Sequence, residues 1–445
     1  MAEHVDPVGL IRDVFMYAHR FRGATFVFHI DYDVVSAPFF PLTVRDLVLL
    51  HQVEIRVVLV PGARRRIDQI LEKYGVACEL VDGVRISSPE AMPFIKMAAF
   101  DVANRVMTQL SGHNTNAVIG NWVRARSLGV RDGVDFGDSG VVDRLDLDLL
   151  RRTLDEGLMP IFPCIGWSAA GRPYNISSVE LARRLAVELD SEKLFFVEAE
   201  APLTQADVDA DHADAIPAEA VTPDGRVSRL DLEQAQTLLD AGALRQDSSH
   251  KNLLRVALDA CAKGVNRTHI VDGRIEGVIL REIFSSLGSG TMIYTNEYEN
   301  IRPMEAEDVP EVLRLMQPLV DRRVLLARNE ADIAENAGDY VVYETDGTVH
   351  GCAALHRRAA HAGEIAAVAV DERFAHLSIG RRLVAYLLDR ARARGFKRVV
   401  ALTTATSDWF ESFGFKKGAV EDLPEERRKS YDPDRNSRIY VLDVI

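Results

Sequence analysis

Apolar runs and helical periodicity alternate through the first 295 residues. Residues 24–31 (ATFVFHID) and 55–62 (IRVVLVPG) are nearly unbroken apolar runs, the pattern of strands buried on both faces. Residues 115–120, 158–163 and 193–198 are further strand candidates. Between them, residues 44–51, 63–74 and 179–189 read as helices, the last behind the caps Ser177 and Ser178. Residues 8–21 form a helix, and residues 228–241 and 250–264 are amphipathic helices. Strand–helix alternation predicts an α/β fold with a mainly parallel sheet covered on both faces. Residues 199–222 are rich in Ala, Asp and Pro and lack a period, which predicts a surface insertion or flexible loop.

The pattern changes after residue 295. Residues 301–316 (IRPMEAEDVPEVLRLM) place an arginine on a strand and then open an amphipathic helix at Asp308-Val309-Pro310. Residues 364–388 read as a strand ending at Asp371-Glu372, a short loop with Ser378 and Gly380, and a helix with Leu383, Leu387 and Leu388 on one face. Residues 399–418 add a strand and a short helix, with Gly414 at the turn. A strand, a small-residue loop and a helix N-terminus make an anion site, because the first N–H groups lack intrahelical partners. Arg381 and Arg382 in the first helical turn suit a bound anion.

Composition narrows the classes. A chain of 445 residues predicts two to three domains, and 47% apolar with 27% charged residues is globular. A net charge of −14 argues against nucleic acid or an anionic membrane as partner. The cysteines Cys78, Cys164, Cys261 and Cys352 are widely spaced, with no metal-ligand spacing. They read as reduced thiols of a cytoplasmic protein that uses no metal. No secretory signal appears, and no apolar run approaches the length of a membrane span.

Residues 364–388 resemble motif A of the GCN5-related N-acetyltransferases (GNAT). That family's Gln/Arg-x-x-Gly-x-Gly/Ala pattern falls on Ala375, His376, Leu377, Ser378, Ile379 and Gly380, and only Gly380 matches cleanly. The resemblance implies a GNAT α+β domain with acetyl-CoA as cosubstrate. His376, Ser378, Ile379, Gly380 and Arg381 would hold the pyrophosphate. The pantetheine arm would lie along Ala367, Val368 and Val370, where a backbone N–H would meet the thioester oxygen.

The front half resembles the amino-acid kinase fold, most closely the acetylglutamate kinases. Residues 268–293 (THIVDGRIEGVILREIFSSLGSGTMI) match the arginine-sensing signature at His269, Glu282 and Gly288. Tyr17 on the N-terminal helix completes it, so the resemblance implies an L-arginine effector site. The kinase positions depart from their pattern. The first phosphate loop reads His29-Ile30-Asp31-Tyr32-Asp33, where two carboxylates repel phosphate and Tyr32 blocks backbone approach. The second glycine loop is Gly62-Ala63-Arg64, the catalytic aspartate is replaced near Val179, and the nucleotide-contacting segment is Phe196-Val197-Glu198. This domain is expected to bind no ATP productively and to serve regulation.

A kinase-like domain over 1–295 joined to a GNAT domain over 296–445 resembles the architecture of bacterial acetylglutamate synthases. The resemblance implies acetyl transfer from acetyl-CoA to the α-amino group of L-glutamate, as the first step of arginine biosynthesis, with L-arginine as feedback effector and a homo-oligomeric assembly. The protonated amine needs a base. Glu364 is the candidate, acting directly or through a water, and a solvated strand-end carboxylate is the plainer reading. Ser407 is a proton donor for the thiolate or a helix cap. Arg328, Arg435 and Ser437 would hold the carboxylates of glutamate. Two other readings stay open: an N-acetyltransferase for a different amine, and a non-enzymatic arginine sensor.

Overall fold

The computed structural model describes residues 15, 17–209, 212, 215–217, 220–245, 250–284, 288–295, 299–345, 348–372, 374, 379–404 and 407–444. The chain folds as two compact units, Met1–Asn296 and Glu297–Ile445.

In the first unit β1 (Thr25–Ile30), α1 (Tyr32–Ser36), α2 (Phe40–Gln52), β2 (Arg56–Pro61), α3 (Arg64–Lys73) and α4 (Met92–Gly112) come first. Next are β3 (Ala117–Ile119), β4 (Val123–Ser127), β5 (Gly140–Leu145), α5 (Leu147–Asp155), β6 (Met159–Ile161), β7 (Ile165–Trp167) and β8 (Pro173–Asn175). The unit ends with α6 (Ser178–Glu188), β9 (Lys193–Glu198), β10 (Arg229–Asp231), α7 (Leu232–Asp240), α8 (His250–Ala262), β11 (Arg267–Asp272), α9 (Val278–Phe284) and β12 (Thr291–Tyr294). Eight strands form one sheet in the order β10-β12-β11-β9-β1-β2-β6-β3, and β8-β7-β4-β5 form a second. The large sheet is parallel except for the β11–β12 pair. Its strands are apolar at successive positions because both faces are covered. Val27, Val58, Leu194 and Phe196 face one core with α6 and α8. Phe26, Phe28, Val57, Leu59 and Phe195 face the other with α2, α3 and α4.

The second unit contains β13 (Glu299–Pro303), α10 (Val309–Asp321), α11 (Glu330–Glu335), β14 (Tyr340–Thr345), β15 (Thr348–Ala359), β16 (Ala362–Val370) and α12 (Ile379–Ala393). These are followed by β17 (Arg398–Thr403), α13 (Ser407–Glu411), β18 (Lys416–Gly418), α14 (Glu425–Lys429) and β19 (Arg438–Asp443). The sheet order is β13-β14-β15-β16-β17-β19-β18, with β16 at its centre. Leu383, Val384 and Leu387 of α12 cover one face, and Val312, Leu315 and Met316 of α10 cover the other. Arg302 on β13 is fixed between Asp308 and Glu344 at 2.6 and 2.7 Å, which ties the first strand to the α10 N-terminus.

Three expectations are corrected and one helix is added. Ser177 alone caps α6, accepting from the Glu180 N–H, while Ser178 is already helical. Residues 229–231 are an edge strand on β12, so the helix predicted from 228 begins at Leu232. The longest helix, α4, went unread because its apolar positions run through small residues such as Ala98, Ala99 and Ala103. Residues 199–222 are anchored where they are described: Leu203, Val208, Ile216 and Ala220 are buried in the same core as α6 and α8. Isolated anchors at irregular spacing hold an aperiodic segment, and a period-based reading cannot see them. No described helix is long and apolar enough to cross a membrane.

Leu203 tests the anchoring. Leu203→Ala should cost about 2–4 kcal/mol in urea unfolding, the usual range for a buried leucine. A loss below roughly 0.5 kcal/mol would return the segment to a loose insertion.

Candidate functional site

The centre of the second unit is a break in strand pairing. β16 pairs with β17 in parallel only from Ala362 to Ile365, and the register ends at Ile365↔Ala401. On its other edge β16 carries one extra residue, since Ala366↔Ala354 is followed by Ala369↔Cys352. Ala367 takes the strain with φ +54, a conformation rare for alanine. The two parallel strands therefore part after Ile365. One edge of residues 366–370 faces a cleft without a strand partner among the described residues. Ala367 is buried toward α10, whereas Val368 and Val370 pack toward α12.

The N-terminus of α12 stands beside the end of β16. A side chain on Gly380 would place Cβ 3.3 Å from Trp409 Cζ2 and 3.7 Å from Val370 Cγ2. Ile379 is fully buried beneath it. Arg381 lies over the Phe413 ring at 5.1 Å and donates to Ser412 Oγ at 3.1 Å. Arg382 donates to the Tyr343 hydroxyl at 3.2 Å. Both arginines thus have protein partners, so their presence needs no anion to explain it. His376 and Ser378 lie outside the described residues, as does the side chain of Ser407 at the start of α13.

Glu364 is not a solvated carboxylate. It is 4% exposed. Arg358 Nε reaches Oε2 at 2.6 Å, and Arg427 Nε lies 2.9 Å from Oε1 and 3.1 Å from Oε2. Arg435 donates to the Val324 carbonyl at 2.8 Å, and burial followed by the charge of Arg427 pushes its guanidinium below the ordinary value. Arg328 sits over the Tyr340 ring at 5.6 Å and bonds its hydroxyl. Ser437 follows Asn436, whose φ is +52, and its carbonyl accepts from Tyr431 at 3.2 Å. Arg358 and Arg427 were not singled out in the sequence. Each lies in a charged stretch of ordinary surface type, and only folding brings them to Glu364.

The first unit holds a second polar cluster. His269 Nδ1 and Glu282 Oε1 are 2.7 Å apart in a fully buried pair. Glu282 Oε2 accepts the Ser289 and Gly290 N–H groups at 2.5 and 2.7 Å. Burial pushes the Glu282 carboxyl up, but these donors win and hold it below its ordinary value. Burial pushes His269 down to about 4, leaving a neutral donor to that carboxylate. Gly288 has φ +59, and a Cβ there would lie 2.6 Å from Glu282 Oε2. Tyr17 packs on Phe21 and Phe284 at 4.4 and 4.9 Å. Lys193, missed in the sequence because it opens an apolar strand, lies over the Tyr17, Phe21 and Phe26 rings at 5.6, 5.2 and 5.9 Å. Burial, seconded by Arg267, holds its ammonium far below the ordinary range.

Comparison with known proteins decides the family. Residues 306–415 match the Acetyltransferase (GNAT) family and residues 34–272 match the Amino acid kinase family. The amino-acid acetyltransferase of Aeromonas salmonicida is 35% identical over 438 residues, 95% of each chain. That of Shewanella oneidensis is 32% identical over 440 residues, 96% of this chain and 95% of the relative. The chain belongs to the amino-acid acetyltransferase family. Among solved structures, N-acetylglutamate synthase from Neisseria gonorrhoeae complexed with coenzyme A and L-arginine superposes with a TM-score of 0.84 at 30% identity, covering 99% of both chains. The same enzyme complexed with coenzyme A and N-acetyl-glutamate gives a TM-score of 0.60 at 31% identity over 99% of this chain and 100% of that one.

In this acetyltransferase the segment expected at the first phosphate loop has partners within the protein. Asp31 caps α1 by accepting the Asp33 N–H at 2.8 Å, and Asp33 pairs with Arg65. Tyr32 does not lie over the loop as expected. Its ring is 4% exposed and its hydroxyl donates to Gln69 at 3.2 Å. Helix formation at Tyr32 turns that side chain into the core. No group of three or more His, Cys, Asp or Glu among the described residues could hold a metal ion.

The His269–Glu282 pair carries a pH signature. The unfolded chain protonates histidine near pH 6.5, whereas folded His269 resists until about 4. Stability should therefore fall as pH drops from about 6.5 to 4, by roughly 3 kcal/mol from this group, and Glu282 acts in the same direction at the acid end. Urea unfolding at pH 7 and pH 4 checks it: His269→Asn should flatten the decline, and an unaltered slope would remove His269 as its source.

Proposed function

We propose that the Glu297–Ile445 unit transfers the acetyl group of acetyl-CoA to the α-amino group of L-glutamate, giving N-acetyl-L-glutamate and CoA. The observation that carries this reading is the set of guanidiniums around Glu364, beside the cleft where β16 and β17 part. Glutamate brings two carboxylates, and arginine binds carboxylates in bidentate geometry. Arg435 and Arg328 are the anchors for them, with Ser437 adjoining. Both Neisseria gonorrhoeae structures hold coenzyme A, and one holds N-acetyl-glutamate.

The unpaired edge at 366–370 suits the amide-rich arm of acetyl-CoA, which would add to β16 as a strand would. A backbone N–H on this edge would meet the thioester oxygen as it gains charge. The backbone N–H groups of Ile379, Gly380 and Arg381, at the start of α12, would face the pyrophosphate. Glu364 serves as the general base once a substrate carboxylate draws one of its two arginines away. Ser407 protonates the departing thiolate.

The unit from residue 1 to about 295 acts as the regulatory domain, with L-arginine as effector at Tyr17, His269, Glu282 and Gly288. One of the Neisseria gonorrhoeae structures holds L-arginine. Arginine is then the end product of the pathway that this acetylation begins, and it inhibits. Its action requires different affinity for two arrangements of a cytoplasmic homo-oligomer. With Asp31 and Asp33 after the first strand, this domain carries no kinase activity.

Steady-state acetyl transfer tests the substrate. With acetyl-CoA and glutamate the protein should release CoA and form N-acetylglutamate, and a different preferred amine would sink this reading. Arg435→Ala should lower kcat/KM for glutamate by about 2–4 kcal/mol while acetyl-CoA affinity holds. Unchanged glutamate kinetics would take Arg435 out of the site.

The effector is tested by Glu282→Gln, which keeps the shape of the side chain beside Gly288. Basal rate should stay near wild type and arginine inhibition should vanish. A normal arginine dose–response in that variant would place the effector elsewhere.

A further inference from the structure

We propose that Ser178, His29 and Glu198 form a second catalytic centre in the Met1–Asn296 unit, a serine acyl-hydrolase site for small uncharged carboxylic esters. His29 Nε2 lies 3.0 Å from Ser178 Oγ. On the other side of the ring, His29 Nδ1 lies 3.3 Å from Glu198 Oε1. This is the order nucleophile, base, orienting carboxylate. The Nδ1–Oε1 leg is out of line for a hydrogen bond, and neither atom bonds another described group. Two buried polar atoms facing each other without other partners are costly unless they pair, and such contacts commonly tighten when substrate binds.

The three residues come from adjoining elements at one end of the sheet. β1 and β9 are neighbouring parallel strands, with His29 opposite Phe196 and Glu198 two residues further on. The C-terminal ends of parallel strands are where open α/β sheets bind ligands. His29 is 3% exposed, whereas Ser178 is partly accessible. A Cβ on Gly62 would stand 3.3 Å from His29 Nε2, so the glycine leaves room beside the base. Ser178 and Val179 open an 11-residue helix, and helix geometry leaves their N–H groups without intrahelical acceptors. Those donors are placed for an oxyanion next to Ser178 Oγ. Glu198 and Asp31 both border the site, and two carboxyl groups there disfavour anionic substrates, which restricts them to uncharged esters. Asp33 is neutralised by Arg65, and burial, then Glu198, pushes the Asp31 carboxyl above its ordinary value.

The chemistry balances without a cofactor. Ser178 Oγ bonds to the ester carbonyl carbon as its proton passes to His29 Nε2. The carbon–alkoxy bond breaks and that proton leaves on the alcohol. Water then attacks the acyl-serine, gives a proton through His29 back to Ser178 Oγ, and releases the carboxylic acid. Glu198 is a positioning residue that orients the ring through Nδ1.

Two readouts on the full chain test the proposal. An alkyl fluorophosphonate should phosphonylate wild-type Ser178 with loss of fluoride, read by peptide mass mapping. p-Nitrophenyl acetate hydrolysis should fall at least about 100-fold in Ser178→Ala and His29→Asn. Glu198→Gln should lower kcat about 10-fold or more with KM for the ester unchanged, a split that a purely structural role would not give. Acetyl transfer to glutamate should be unchanged in Ser178→Ala, so this centre stands or falls separately from the acetyltransferase reading. No adduct, an adduct on any other residue, or an unchanged ester hydrolysis rate in Ser178→Ala would overturn it. The labelling is done on the wild-type chain and does not depend on any variant folding.

Discussion

A β-strand must satisfy its backbone on both edges, and β16 does so toward β17 only as far as Ile365. The extra residue at Ala367 twists the strand away from its parallel neighbour. The arrangement around the cleft follows from that one irregularity. Beyond Ile365 that edge has no strand partner among the described residues, the N-terminus of α12 stands at its end, and Glu364 sits where pairing is still intact. A flat, fully paired sheet of the same composition would have no place for an extended ligand.

Charge is arranged by the same logic in the two units, with opposite outcomes. Around Glu364, guanidiniums outnumber carboxylates, so the region is prepared for added negative charge. Around Glu282, one carboxylate collects three donors and has no oxygen left without a partner. That carboxylate fixes the loop through Gly288–Gly290 against β11, and Gly288 has room only for a hydrogen. A ligand binding there must exchange with these bonds rather than add to them. Binding at this cluster is therefore bound to shift the loop or α9, a physical basis for signalling from it.

The segment after β1 carries two carboxylates where a phosphate loop would need backbone donors. Asp31 is a helix cap and Tyr32 a core residue, while His29 at the strand end has Ser178 and Glu198 as neighbours. Polar residues at the C-terminal ends of parallel strands remain concentrated at one place even when the original ligand is gone.

Much of this was legible in the chain. Buried strands of a parallel sheet are apolar on both faces, so 24–31, 55–62 and 193–198 announced themselves without any tertiary knowledge. The strand that ends at Val370 and the helix with Leu383 and Leu387 on one face were readable because their periods are local. The long helix α4 and the anchored segment around Leu203 were not, since small residues and isolated apolar anchors leave no period. The partners of Glu364 were not legible either. Arg427 is 63 residues away, and a surface-like arginine looks the same wherever it ends up. Local sequence determined which segments become strands, helices and turns, because propensity and periodicity act over a few residues. Tertiary structure alone decided which charges meet, where β16 leaves β17, and which of His29's neighbours face its ring, because those depend on contacts between residues far apart in the chain.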